Sequence, residues 1–296
     1  MLITGKIRQL NPNALRLSLM IALVAAACSQ VPRTEPQAES AKRAPEGVRT
    51  VEIGRAVRIP VANDVESAAA GEGDPAKLTV SLGRPDELPE GPDGFDVTGD
   101  GYFLITDPLR KRIAVFDSNG AYRSEWRVGF AADSVTVLSG NLVQVREARP
   151  GAVRLFDKDG KPAAGSTSQE EPAEARLTGP DAGVVTWRAA SGQPGRPLGV
   201  KFEKSGLKLL SLQGVAMDSA GDTYVAIEST AGGDAVDVKK IVRRYSADGR
   251  AVSETTDLPV DYFVRPTDEI RIHNGTVYQL MTTKSEVRIN TWNTNS

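Results

Sequence analysis

Residues 92–120 read PDGFDVTGDGYFLITDPLRKRIAVFDSNG, and the fold of the chain is decided here. Short apolar runs that alternate with a period of two are separated by polar turns rich in glycine, which adopts positive φ without a Cβ penalty. Together with the segment that follows, this pattern predicts four antiparallel strands joined by tight hairpins. The predicted strands are 94–97, 102–106, 112–116 and 121–126.

The hairpin turn at the end of this stretch recurs along the chain. An aromatic residue followed by a polar turn and a glycine occurs at Phe116, Phe156, Phe202 and Tyr245, with steps of 40, 46 and 43 residues. In addition, DVTGDGY at 96–102 has a counterpart 122 residues later, in DSAGDTY at 218–224. A repeat of about 43 residues that contains several short strands and no convincing helix is typical of a propeller blade.

We therefore predict an all-β fold, a five- or six-bladed β-propeller of four-stranded antiparallel blades. The motifs define five units, and the strand-like segments 48–53 and 56–59 could help to make a sixth. The last unit, 268–292, has only three predicted strands, so an N-terminal strand is expected to complete it, with Leu78–Leu82 as the candidate. Such a closure would remove exposed strand edges. A β-sandwich of similar strand content is the alternative.

Three segments of the first unit carry a family resemblance. PDGFDV at 92–97, GYFLITD at 101–107 and RIAVFD at 112–117 resemble the NHL-repeat branch of β-propellers. The resemblance is good in the first unit, moderate over 212–249 and confined to the hairpins in the second and third units. It implies a fold and no activity.

The N-terminus has the features of a secretory signal. Three basic residues precede an uncharged run at 17–27, which is too short to cross about 30 Å of hydrocarbon as a helix. The run ends in LVAAAC at 23–28, and its small residues before the chain's only cysteine resemble the lipobox of bacterial lipoproteins. An ordinary signal peptide with an incidental cysteine is the alternative.

The lipobox resemblance implies a subcellular location for the protein. Cleavage before Cys28 would leave its thiol and its new amine to carry acyl chains, so the membrane would be a partner. Ser29, in place of an aspartate, implies an exported lipoprotein at the outer membrane, on the cell surface or the periplasmic face.

Composition divides the chain and excludes several classes of protein. We predict a signal peptide at 1–27, a disordered tether at 28–47 and a single propeller domain at 48–296. The segment 29–47 contains no aromatic residue and one branched apolar residue, so it cannot offset chain entropy by burial.

Loss of the signal peptide shifts the formal charge from −2 to −5, which argues against a nucleic-acid partner. One cysteine excludes a disulfide framework.

Acidic side chains in the repeated turns are the first candidates for metal binding. Asp96, Asp100, Asp218 and Asp222 could bind calcium through their carboxylates. Each of them also lies where a hairpin turn favours aspartate, and turn formation is the preferred interpretation.

An enzyme of the regucalcin-type lactonase class would hold a divalent ion with acidic and amide side chains on a channel axis. Asp107, Glu228 and Asn141 have suitable side chains for this role, although no motif brings them together. The only histidine, His273, precedes an Asn-Gly turn and is expected to be an exposed turn residue. We predict no catalytic residue and no resident cofactor, and calcium is left open.

The sequence therefore favours a non-catalytic protein-interaction or ligand-binding module, anchored to the membrane and directed at a protein partner. The segment Lys161–Glu174, rich in Pro, Gly and Glu, is a candidate partner loop, although a solvated loop is the simpler interpretation. A divalent-metal-dependent hydrolase or lactonase that uses the central channel is the alternative function.

Overall fold

The computed structural model describes residues 47–63, 73–83, 86–164, 174–187, 197–231 and 237–295. The predicted signal peptide, Cys28 and the tether up to residue 46 lie outside these ranges, as does most of the candidate partner loop. The described residues form β-strands and two short 3-10 turns, Pro108–Arg110 and Ser139–Asn141, with no α-helix among them. None of their helical segments is long and apolar enough to cross a membrane.

The N-terminal part of the domain and the first repeat contribute seven strands. Three of them precede the repeats: β1 (Arg49–Val51), β2 (Arg55–Ala62) and β3 (Leu78–Thr79). The first sheet is an antiparallel meander of β4 (Phe95–Val97), β5 (Phe103–Asp107), β6 (Arg112–Phe116) and β7 (Tyr122–Arg127). Its strands lie within one residue of the predicted bounds, so the local prediction is confirmed.

Four more antiparallel sheets follow in chain order. The second contains β8 (Ala132–Val137), β9 (Leu142–Glu147) and β10 (Val153–Asp157), and the third contains β11 (Glu174–Gly179), β12 (Ala182–Thr186) and β13 (Leu198–Lys201). The fourth contains β14 (Lys208–Met217), β15 (Thr223–Thr230), β16 (Val238–Tyr245) and β17 (Ala251–Thr255). The fifth contains β18 (Ile270–His273), β19 (Thr276–Thr282) and β20 (Glu286–Asn293).

The arrangement of these sheets is that of a β-propeller. Each sheet is an up-and-down meander, and the first strands of neighbouring sheets contact one another: β4 contacts β8 and β18, and β14 contacts β11 and β18. Apolar clusters fill the space between the sheets. Trp126, Val135 and Phe156 lie in the cluster between the first and second sheets, and Tyr224 and Trp292 in that between the fourth and fifth. The all-β propeller prediction is confirmed.

The strand that closes the last sheet differs from the predicted one. The fifth sheet is completed by β2, which pairs antiparallel with β20, while Leu78–Thr79 adds a short parallel strand outside it. The reason lies in side-chain alternation. Val57 and Ile59 of β2 are buried between exposed neighbours, as a strand with one covered face requires, whereas Leu78 and Thr79 are both buried. Closure by an N-terminal strand is confirmed, but the assignment to Leu78–Leu82 is wrong.

Two further expectations about strand number need correction. The segment at 48–53 does not begin a sixth blade, because β1 pairs parallel with β17 at the outer edge of the fourth sheet. The segment at 56–59 forms part of β2 and serves the fifth sheet. Within the described ranges, the second and third sheets contain three strands instead of the four predicted.

Glycines with positive φ end the hairpin turns, as the repeated turn motif predicted. Gly120, Gly160, Gly206 and Gly249 all have φ between +76° and +89°. Asp117 and Asp157 accept backbone N–H bonds from the two turns that begin with them, at distances of 2.8–2.9 Å. These side chains therefore stabilise the hairpin turns that recur in each repeat of about 43 residues.

Gly160 offers a test of sheet packing. A Cβ at this position would overlap the indole ring of Trp126 in the neighbouring sheet, whereas a Cβ at Gly129 would meet no atom within 4 Å. Both glycines have nearly equal φ, +77° and +79°, so Gly160→Ala and Gly129→Ala share a left-handed penalty of about 1–2 kcal/mol. We expect Gly160→Ala to lose about 1–3 kcal/mol more in urea unfolding. Equal losses would contradict the packing of Gly160 on Trp126.

Candidate functional site

A group of polar side chains lies where the fourth and fifth sheets meet. We call it the seam cluster, and it consists of Ser211, Glu228, Lys240, Tyr262, Arg265, Glu269, Gln279 and Asn290. Strand register brings its central pair together, because Glu228 of β15 lies directly opposite Lys240 of β16. Tyr262, Arg265 and Glu269 come from the connection between the two sheets, so the cluster joins residues that are distant in sequence.

Lys240 is the centre of the seam cluster. Its side chain is only 2% exposed, and its Nζ lies 2.5 Å from Glu269 Oε2 and 3.1 Å from Glu228 Oε1. Arg265 adds a second cation, with Nη2 2.8 Å from Glu228 Oε1. Two carboxylates therefore face two cations, and the charges of the cluster cancel.

Hydrogen bonds satisfy most of the remaining polar atoms of the cluster. Gln279 Nε2 donates to Pro259 O at 2.7 Å, to Tyr262 Oη at 2.8 Å and to Glu269 Oε1 at 3.1 Å. The Tyr262 hydroxyl donates to Glu269, and burial together with the nearby Glu269 charge raises the pKa of Tyr262. Tyr262 is therefore a neutral donor.

The acid of β15 is held as a carboxylate. Burial opposes ionisation of Glu228, but the Ser211 hydroxyl donates to it at 2.7 Å and Lys240 supplies a positive charge, so its pKa is lowered. A carboxylate whose negative charge is stabilised by fixed hydrogen bonds and a cation is a poor proton acceptor.

Asp107 occupies a similar position in the first sheet. It is buried at the end of β5, opposite Arg112 in β6, with 3.0 Å between Asp107 Oδ2 and Arg112 Nη2. Burial raises the pKa of Asp107 against the effect of the Arg112 charge. Arg112 also donates to the carbonyls of Pro75 and Lys77, so this pair fastens the segment before β3 to the first sheet.

The structure distributes the three metal candidates over different sheets. Asp107 is in the first sheet, Glu228 in the fourth, and Asn141 in the 3-10 turn before β9 of the second, with φ of +63°. Among the described residues, no group of three or more His, Cys, Asp or Glu side chains could hold a metal ion.

The aspartates of the repeated DxxGD turns have separate partners. Asp218 accepts N–H bonds from Ala220 and Asp222 within its own turn, which confirms the turn interpretation there. Asp222 pairs with Arg244 Nη2 at 2.6 Å. His273 lies beside the Asn274-Gly275 turn as predicted, but it is the last residue of β18 and is half-buried, so the expectation of an exposed turn residue is wrong. Its Nε2 lies 3.0 Å from Asn274 Nδ2.

Sequence reasoning missed an arginine at the centre of the sheets. Arg271 of β18 donates to the Phe95 carbonyl at 3.0 Å and to the Val135 carbonyl at 3.3 Å, so it links the first strands of three sheets. It also pairs with Asp268 at 2.7 Å. Asp96, 3.9 Å from Arg271 Nε, accepts an N–H bond from Val137, and burial raises its pKa against the Arg271 charge. No local motif marks such a residue, because its partners are carbonyls of distant strands.

A cleft with a volume of about 540 Å³ lies between the third and fourth sheets. On the side of the third sheet it is lined by residues of β11, β12 and β13 and by Glu203, and on the side of the fourth sheet by Arg243, Tyr245, Gly249 and Ala251. We call it the inter-sheet cleft.

Comparison with known proteins gives similarity at the level of the fold alone. No protein-family model matches the chain, and no curated protein matches it. A calcium-binding regucalcin from Agrobacterium tumefaciens aligns at 10% identity and a TM-score of 0.34, covering 83% of this chain and 97% of that one. A gluconolactonase from Xanthomonas campestris aligns at 11% identity and a TM-score of 0.33, covering 81% and 98%.

A third solved structure, a virginiamycin B lyase from Staphylococcus aureus, aligns at 11% identity and a TM-score of 0.35, covering 68% of this chain and 94% of that one. These proteins are of β-propeller type. Similarity of this degree transfers neither activity nor ligand, and the propeller architecture of this chain follows from its own strand pairing. The NHL resemblance stays a prediction.

Removal of the central cation should expose the energetic role of the seam cluster. Lys240→Met leaves the buried Glu269 and the half-buried Glu228 with only Arg265 as a counter-charge, so we expect a loss of about 3–5 kcal/mol in urea unfolding. Lys239→Met is the matched control, because that neighbouring side chain is 41% exposed and its ion pairs contribute about 1 kcal/mol or less. Equal effects of the two variants would show that Lys240 does not hold the cluster.

Proposed function

We propose that the protein is a membrane-anchored, non-catalytic binding module of the bacterial cell envelope. The N-terminal run and LVAAAC at 23–28 support an exported lipoprotein acylated at Cys28. A tether of this length reaches roughly 25 Å as a flexible coil, enough to hold the propeller clear of lipid head groups. The outer membrane, on its surface or periplasmic face, is the proposed location, and a protein is the proposed partner.

One observation carries the proposal of a non-catalytic role. The acidic side chains with the best claim to metal binding or acid-base chemistry, Asp107 and Glu228, are each paired with a cation across the strand ladder. Catalytic acids and bases need a face that a substrate can reach. Asp107 is fully buried, and Glu228 is held by Ser211, Lys240 and Arg265. Both side chains hold segments of the fold together, which supports a protein that binds through its surface and loops.

The NHL-like repeats agree with this proposal, since propellers of many functions present loops and edges on a rigid scaffold. The acidic charge of the mature chain supports a partner other than a nucleic acid. A metal-dependent hydrolase or lactonase is the runner-up, and no contact of the described residues favours it.

Lipid anchoring is tested by changing the cysteine. In a bacterial host with lipoprotein processing, we expect Cys28→Ala to move the protein from the membrane fraction to the soluble fraction, because two or three acyl chains supply the anchorage. Ser29→Ala is the control and should stay with the membrane. Retention of Cys28→Ala in the membrane fraction after a high-salt wash would contradict the lipoprotein proposal.

Calcium distinguishes the binding module from the metal enzyme. We expect millimolar calcium to leave the melting temperature of the mature chain, residues 29–296, unchanged within about a degree, since a ligand stabilises a fold only by binding to it. A rise of several degrees that is lost in both Asp107→Ala and Glu228→Ala would favour the runner-up. Magnesium at the same ionic strength controls for general salt effects.

A further inference from the structure

The first strand of the domain lies on a different sheet from the strand that follows it. β1 pairs with β17 at the outer edge of the fourth sheet. After residues 52–54 the chain enters β2, which pairs with β20 and completes the fifth sheet. The ring is therefore closed by β2, and β1 stands between β2 and the segment before residue 47 in chain order.

The pairing of β1 is much less extensive than that of β2. Three residues of β1 pair in parallel with β17, and no described strand pairs with the other edge of β1. β2 pairs antiparallel with β20 over residues 55–60, and its other edge pairs with β3 at 61–62. Because parallel pairing is slightly less stable per residue, the ladder of β1 is both shorter and weaker.

Side-chain burial differs in the same direction. In β1 only Val51 is buried, at 7% exposed, in the cluster that contains Trp292. In β2, Val57 and Ile59 are 3% and 0% exposed and belong to the cluster between the fifth and first sheets. A short terminal strand with little buried surface opens at a lower free energy than the whole fold.

The joint between the fourth and fifth sheets has bonds of its own. Trp292 Nε1 of β20 donates to Thr256 Oγ1, just after β17, at 3.2 Å, and Lys240 pairs with Glu269, just before β18. β1 is fastened to the outside of this joint by Val51 and by the Arg49 guanidinium, which donates to the Thr294 carbonyl. Release of β1 leaves the first two bonds in place.

In a chain anchored at its N-terminus, the order of the strands decides which of them is loaded. Tension that arrives through the residues before 47 acts on β1 before it can act on β2. Release of residues 47–54 adds roughly 25 Å of extended chain to the tether. The load then reaches β2 only after this length has been drawn out.

We propose that β1 is a releasable strap between the tether and the ring. Under tension it detaches from β17 and lengthens the tether, while β2 keeps the ring closed. The inference rests on the proposed function, because the acylated N-terminus is what applies the load. It gives a mechanical role to a strand that the propeller does not need for closure.

Hydrogen exchange tests whether β1 opens by itself. In the mature chain, residues 29–296, we expect the amides of β1 to exchange at least about tenfold faster than those of β2. We also expect low concentrations of urea to accelerate exchange in β2 but not in β1, because local opening exposes little surface.

Two buried valines provide matched variants. We expect Val51→Asp to speed tryptic cleavage after Arg49 at least about tenfold and to leave the urea midpoint within about 10% of the wild-type value, because only the strap is lost. Val57→Asp places the same charge in β2, and we expect it to lower the midpoint by at least about 0.5 M. If Val57→Asp does not fold, Val51→Ala and Val57→Ala make the same comparison.

Single-molecule pulling tests the response to load. The mature chain lacks cysteine, so Lys161→Cys supplies one attachment point and a tag before Ser29 supplies the other. We expect a reversible first step of up to about 25 Å before the domain opens. We expect this step to be absent in Val51→Asp, whereas opening of the domain still occurs.

Several results would overturn the inference. These are equal exchange of β1 and β2, failure of Val51→Asp to fold, equal losses of urea midpoint in the two aspartate variants, or a first step that persists in Val51→Asp. The proposed function fails separately. If Cys28→Ala stays in the membrane fraction, lipid anchoring fails, but the exchange and pulling results on the mature chain are unaffected.

Discussion

Arg271 ties the first strands of three sheets together through hydrogen bonds to the backbone. A hairpin meander can form locally, but nothing in its own ladder determines how one sheet meets the next. By donating to carbonyls of Phe95 and Val135, this side chain from the fifth sheet joins the first strands of the first and second sheets. The bonds are to backbone, so they fix the positions of strands and do not depend on which side chains those strands carry. Apolar packing between the sheets then adds most of the burial.

Other buried cations, farther from the centre, likewise hold together segments that are distant in sequence. Arg112 fastens the residues before β3 to the first sheet, and Lys240 joins the fourth sheet to the connection that carries Glu269. Each buried cation is matched by carboxylates and carbonyl oxygens, because an unpaired charge would be expensive to bury. Asp107, Glu228 and Glu269 thereby serve to hold strands and connections together.

Much of the fold was predictable because hairpins are local. The alternation of apolar residues and the glycine turns located the strands of the first sheet within one residue, and Asp218 accepts N–H bonds within its own turn as predicted. The candidate site was less predictable. Asp107 and Glu228 were chosen as candidate metal ligands by side-chain type, but their pairing with Arg112 and Lys240 depends on strand register, and the contacts of Arg271 carry no local signal.

The sequence by itself determined the all-β class, the repeat of about 43 residues and the hairpin turns, since each follows from propensities that act over a few residues. Tertiary structure decided which N-terminal strand closes the fifth sheet, that β1 pairs with β17, and that β14 pairs with β15. Those outcomes depend on competition among strands for one edge. That competition is settled by burial and hydrogen bonding between residues far apart in the chain, which no local pattern encodes.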